Sequence, residues 1–462
     1  MKKIDRKKKL IFLLIAVLAI GSLLIFTVAY TLKDSGSLSI GGIVRSETVY
    51  VIAILLAIIP ILLVALILSI AFGKNEKETV ELYGEGVTEI SSDTSAQGNE
   101  SKSGERFSTL NEIDAREKEY GYKTYEKCES LEKLCEAFRA FAASRLRLYY
   151  DIEDIRSFIA GLSVSKLVIL QGMSGTGKTS LAHAFGAFLD NPSTVIPVQP
   201  MWKERTDLVG YYNEFTKHFN ETLLLEKMYE AGYSKDMYIT VLDEMNIARV
   251  EYYFAEFLSL LELPNAEERY IEVVTDKWEK DPKMLKDGWI KLPENMWFVG
   301  TANNDDSTFA ISDKVYDRAM ILNLDRKSER FTAKDPGNCH ISAKHFEDLG
   351  RKALKEYGIS RRNKQRLEEL DKYLIENFHI TFGNRIMKQI LTFVPIYVGC
   401  GGEELKALDD ILSKKVMRKL ETQNPIYLRG AAEGLRNYID ELFGEDRMPM
   451  CKEYIRRLER NA

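Results

Sequence analysis

The stretch from Lys166 to Leu189 constrains the fold more than any other. Lys166-Leu167-Val168-Ile169-Leu170-Gln171 is short and apolar. It runs into Gly172-Met173-Ser174-Gly175-Thr176-Gly177-Lys178-Thr179, and an apolar helical stretch from Ser180 to Leu189 follows. Strand, G-x-x-x-x-G-K-[ST] and helix, in that order, predict a phosphate-binding loop. Its glycines let backbone N–H groups turn inward at the positive end of a helix, where an anion is stabilised. Gly172, Ser174, Gly175, Thr176, Gly177, Lys178, Thr179 and Ser180 form the expected cradle. Lys178 is expected to reach the β- and γ-phosphates, and Thr179 to offer its hydroxyl to Mg²⁺.

Two further strands fit the same chemistry. Met237 to Leu242 is apolar and ends in Asp243-Glu244, 65 residues after Lys178. Asp243 is expected to hold Mg²⁺, and Glu244 to polarise an attacking water as general base. Met296 to Gly300 is the next apolar run, ending in Thr301-Ala302-Asn303-Asn304-Asp305-Asp306. Asn303 can hydrogen-bond both the water and a phosphate oxygen. A plain turn is the alternative, since Asn and Asp form turns, and the two are compatible. Arg318 follows in Asp313-Lys314-Val315-Tyr316-Asp317-Arg318-Ala319. It is placed to reach a neighbouring subunit's nucleotide, or else to pair with Asp313 or Asp317.

The N-terminus carries a second constraint. Leu10 to Tyr30 is 21 residues without a charge, and Val49 to Phe72 is 24. At about 1.5 Å per residue each can cross a hydrocarbon core of roughly 30 Å. Lys2, Lys3, Arg6, Lys7, Lys8 and Lys9 precede the first run. In the connecting loop, Lys33 and Arg45 are balanced by Asp34 and Glu47. The positive-inside rule predicts a two-pass inner or plasma membrane anchor, with the short loop outside and everything after Lys74 in the cytoplasm. Residues 74–108 are rich in Ser, Gly, Glu, Asn and Thr and read as a flexible linker. Residues 109–150, with Leu131, Leu134, Phe138, Phe141 and Leu146 at helical spacing, predict a helical neck.

Composition narrows the function classes. With 45% hydrophobic and 29% charged residues the chain is globular rather than wholly disordered, and a net charge of −5 excludes a uniformly basic nucleic-acid glove. Five cysteines without a CxxC argue against a disulfide or zinc framework.

From about Asp151 onward the chain resembles an AAA+ ATPase, and within that superfamily the McrB-like branch, the motor subunit of modification-dependent restriction systems. The residues that carry this resemblance are Leu242-Asp243-Glu244-Met245-Asn246, Gly300 to Asp306 with its Asn303-x-x-Asp306 signature, and Asp313 to Ala319. The resemblance implies an α/β domain over 151–340, a parallel sheet with helices on both faces, and an α-helical lid over 341–462. With the anchor over 1–73, the whole chain is then a membrane-tethered nucleotidase. It implies Mg²⁺, ATP or GTP as substrate, a hexameric ring, and a separately encoded McrC-like or other nuclease as partner. Nucleic acid would be met only through that partner. Asp306 and Arg385, in Gly383-Asn384-Arg385, are implied nucleotide contacts, the latter in cis. Two departures stand out. Ile247 occupies the place where the branch carries an arginine, leaving the role of Arg249 open, and the membrane runs replace a DNA-reading domain. The alternative is a membrane-tethered remodelling ATPase acting on protein substrates. A membrane AAA+ protease is disfavoured, because no His-Glu-x-x-His occurs. Trp202, Tyr211 and Tyr212 are either packing residues or a substrate grip.

Overall fold

The computed structural model describes residues 105–121, 123–303, 308–325 and 328–461. All of them belong to one structural unit, Gly98–Ala462. Both apolar runs, the linker before residue 105, and Asp306 lie outside the described residues. Among the described residues, no helix is long and apolar enough to cross a membrane.

The described strands are β1 (Leu167–Gly172), β2 (Thr194–Pro197), β3 (Gly210–Asn213), β4 (His218–Glu221), β5 (Tyr238–Asp243), β6 (Tyr270–Glu272), β7 (Trp289–Lys291), β8 (Met296–Asn303) and β9 (Met320–Asn323). Five of them form the central sheet in the order β2-β5-β8-β1-β9, with every neighbouring pair parallel. The other four make two hairpins, β3-β4 and β6-β7.

Burial explains the strand sequences. All six residues of β1 are buried, as are the first seven of β8. A parallel sheet is covered on both faces, so its strands read as continuous apolar runs rather than alternating ones. The alternation still sorts the two faces. Val168, Leu170, Ile239, Val241, Trp297 and Val299 join one core cluster. Leu167, Ile169, Tyr238, Leu242, Met296 and Phe298 join the other.

The longer helices are α1 (Thr109–Ala115), α2 (Leu131–Leu146), α3 (Ile152–Val164), α4 (Lys178–Phe188), α5 (Leu223–Tyr233), α6 (Ala255–Glu262), α7 (Ala343–Glu356), α8 (Arg361–Phe378), α9 (Gly383–Gly399), α10 (Glu404–Lys415), α11 (Pro425–Phe443) and α12 (Pro449–Asn461). Residues 109–150 do contain helices, but α2 does not behave as a neck. Phe138 packs edge-on to Phe185 at 5.0 Å and lies 5.5 Å from Phe188, both in α4, so α2 is a layer of the main core. The apolar spacing that suggested a helical neck is the buried face of that layer. Residues 343–461 are mostly helical, and α7 to α12 share the core cluster of α2 to α4.

The first described residues are tied to the α/β part at several points. Arg106 is 2% exposed and bonds Asp281 through Nε and Nη2 and Asp276 through Nη1. Phe107 stacks on Phe219 of β4 at 4.9 Å. The Glu221 carboxylate accepts from Ser108 N, Thr109 N and Leu110 N, and so caps the start of α1.

Candidate nucleotide site

The site grows from the end of β1. Gly172 has φ +144°, and a Cβ there would stand 2.4 Å from the Leu324 carbonyl oxygen, so only glycine lets β1 turn into the loop beside β9. Gly177, at φ +90°, passes under Tyr150, whose hydroxyl donates to the Gly177 carbonyl at 3.1 Å. Burial pushes the Tyr150 phenol well up, so it stays protonated and keeps donating. The loop tip at Ser174 and Gly175 is exposed, while Lys178 is buried at the start of α4. Its Nζ donates to Gly172 O at 2.9 Å and Met173 O at 2.8 Å. Gly175, at φ +79°, has open space where a Cβ would be, which leaves a cradle an anion can enter.

The strand ends converge on this loop. Thr179 Oγ1 donates to Asp243 Oδ1 at 2.7 Å, and Thr301 Oγ1 donates to the same oxygen at 2.8 Å. The hydroxyl and carboxylate expected at the metal are therefore in contact, and hard oxygens of this kind suit Mg²⁺. Glu244 follows in the left-handed region at φ 51°, ψ 46°, with its N–H donating to Thr301 Oγ1 at 2.8 Å. That backbone is strained for a residue with a Cβ. It turns the Glu244 side chain out of the strand into an exposed position. Asn303 stands opposite Gly172 in the β1–β8 register, which brings it beside the start of the loop. Asn246 Nδ2 holds this strand end by donating to Asn303 O at 2.9 Å, Thr308 Oγ1 at 3.0 Å and Phe309 O at 3.2 Å.

Arg318 lies at the opposite end of the strands, in the turn that leads into β9. Its carbonyl accepts from Ser165 Oγ at 3.0 Å, just before β1 begins, and Met320 pairs with Val168. The six residues of β1 separate it from the loop, roughly 17–20 Å at about 3.3 Å per residue. An arginine side chain does not reach across that distance. Arg318 Nη2 pairs with Glu262 at 2.8 Å rather than with Asp313 or Asp317.

Arg385 differs from expectation. It pairs with the same Glu262, and Gln389 on the same helix donates to Asp317 O at 3.0 Å. The start of α9 thus sits beside Arg318, because α9 runs antiparallel to α3, with Arg156 Nε donating to Cys400 O at 3.1 Å at its far end. The expectation that Arg385 contacts the nucleotide of its own loop is corrected accordingly: it sits with Arg318 around Glu262, at the end of the strands away from the loop.

Trp202 packs edge-on against buried Tyr253, and Tyr212 against Trp278, while Tyr211 is exposed. Arg249 is exposed and lies 5.0 Å from the centre of the Phe309 ring.

Comparison with known proteins gives the region a family. Residues 167–319 match the AAA domain of the dynein-related subfamily. This part of the chain is an AAA domain. Among solved structures, a candidate ATPase from Cytophaga hutchinsonii is similar at 12% identity and a TM-score of 0.43, covering 72% of this chain and 95% of that one. A full-length MCM homolog from Methanopyrus kandleri is similar at 12% identity and a TM-score of 0.37, covering 64% of this chain and 63% of its own. No curated protein matches the chain.

The AAA domain carries the phosphate loop and the Asp-Glu strand end, so the protein is a nucleoside-triphosphate hydrolase. Three of the domain's contacts had no motif to announce them. Thr301 joins Asp243 to Glu244 N, Tyr150 braces Gly177, and Glu262 gathers Arg318 and Arg385. A hydroxyl within an otherwise apolar strand end was the available signal for Thr301. Tyr150 and Glu262 meet their partners only through the tertiary fold.

Proposed function

We propose that the protein is a membrane-tethered, McrB-like AAA+ nucleotidase. It hydrolyses ATP or GTP in a ring and powers a separately encoded nuclease-type partner. The observation that carries the ring is the separation of Arg318 from its own phosphate loop by the length of β1. A cation that cannot serve its own nucleotide is available to a neighbour's. There it would offset charge on the transferred phosphoryl group, an effect of about 10³–10⁵ in rate.

Within one subunit each residue has a task. The loop amides and Lys178 bind and orient the phosphates. Thr179 and Asp243 would hold Mg²⁺, which neutralises phosphate charge when bound. Glu244 takes a proton from the attacking water, and Asn303 positions that water. Support for the anchor comes from the two uncharged runs and the basic cluster before them. The nuclease partner follows from the sequence resemblance alone.

Full-length Lys178→Ala should lose nucleotide binding, and Arg318→Ala should bind but not turn over. Mixed, the two inactive proteins should regain hydrolysis, because some interfaces then join an intact loop to an intact arginine. No recovery, with Arg318→Ala active by itself, would exclude the shared site. The anchor is tested separately by cysteines at positions 37 and 95. An impermeant reagent should label only the first in intact cells, and the reverse pattern would overturn the topology.

A further inference from the structure

The turn that carries Arg318 is held by its backbone, mainly from the C-terminal helices. Four consecutive carbonyls each accept a side-chain hydrogen bond. Lys415 Nζ donates to Tyr316 O at 2.5 Å and also to Ala319 O. Gln389 Nε2 donates to Asp317 O at 3.0 Å, and Ser165 Oγ to Arg318 O at 3.0 Å. Two of these three donors come from α10 and α9, the third from the residue before Lys166. The preceding turn is tied to the same layer, since Arg418 pairs with Asp313 and covers the Tyr316 ring at 3.9 Å.

Lys415 is the centre of this arrangement. It is 4% exposed, so almost none of its amine can be solvated by water. Burying such a group is costly unless its hydrogens find acceptors. The acceptors it has found are the carbonyls on either side of Asp317-Arg318. One amine can satisfy both only while the turn is closed, and closing the turn fixes where the Arg318 side chain leaves the backbone.

We propose that Lys415 is a positioning residue for Arg318: α10 sets the turn through which this chain serves its neighbour's nucleotide. The proposal rests on the reading of Arg318 as acting between subunits. It has a consequence that a fold-stabilising lysine does not share. Loss of Lys415 is felt in the adjacent subunit's site and not in the chain's own.

The full-length Lys415→Met protein should keep its affinity for a fluorescent nucleotide while kcat falls about 10²-fold, the scale of a roughly 1 Å misplacement. Mixed with Lys178→Ala it should regain hydrolysis, because the Lys178→Ala chain supplies a well-placed Arg318. Mixed with Arg318→Ala it should gain nothing over its own residual rate, because neither chain then offers a well-placed arginine. The opposite pattern would mean that Lys415 serves its own nucleotide, and the proposal falls. No gain over the residual rate in either mixture, with binding intact, also overturns it. If Lys415→Met does not fold, as loss of nucleotide binding would reveal, Gln389→Ala removes a single neutral bond to the same turn. The same two mixtures then decide. Parental turnover by Arg318→Ala alone removes the underlying reading, and the proposal with it.

Discussion

A single hydroxyl, that of Thr301, sets the relation between the two acidic residues of the site. It donates to Asp243 and accepts from the Glu244 amide, so it orients the carboxylate and the strained turn together. Thr301→Val keeps the shape and removes both bonds. Hydrolysis should fall roughly 10–100-fold, as for other groups that orient a metal-binding residue, with nucleotide affinity little changed. Unaltered turnover would show that Asp243 and Glu244 hold their places unaided. Lys415 makes a prediction of a different kind. Burial lowers its ammonium to about 7. In the unfolded chain a lysine titrates near 10.4. Between those values the unfolded state binds more protons, so stability rises with pH. From this one group the rise is up to about 1.4 kcal/mol per pH unit. From pH 7 to pH 9 the parental unfolding midpoint should therefore climb relative to Lys415→Met. Parallel pH curves for the two proteins would show that the buried amine keeps an ordinary affinity for protons.

At the scale of elements, what could be read from the sequence depended on whether a segment's chemistry is local. The turn from β1 through the phosphate loop into α4 was legible because glycines, lysine and threonine sit at fixed offsets along one stretch. The same holds for the Asp243-Glu244 strand end. The position of α9 was not legible, because it depends on α9 running against α3, and no motif at Arg385 encodes that direction. The role of α2 was misread for a related reason. Helical spacing of Leu131, Leu134, Phe138 and Phe141 reports a buried face but not its partner, here Phe185 and Phe188. The segment before α1 gave no signal at all. Arg106 stands in a polar stretch, yet it is buried against Asp281, whose side chain is 5% exposed. Arg106→Met would leave that carboxylate without its partner, so the described unit should lose about 3–5 kcal/mol of stability. The Arg106→Met, Asp281→Asn pair should recover part of it. A single variant as stable as the parent in urea would show that the clamp contributes nothing net.

At the scale of the described unit, the decisive feature is a central sheet with the phosphate loop at one end of its strands and Arg318 at the opposite end. If Arg318 serves the adjacent subunit as proposed, such a chain is a lock whose key hangs on the neighbouring door. Turnover per molecule would then depend on how many copies meet, and the protein would read its own abundance. In dilute solution specific activity should rise with protein concentration and level off once assemblies fill, while Arg318→Ala should stay flat throughout. Specific activity independent of concentration from the most dilute sample upward would contradict this. If the two N-terminal apolar runs anchor the chain as proposed, confinement to a surface would lower the copy number at which the threshold is crossed. Expression level alone would then act as an on-switch, with no effector bound.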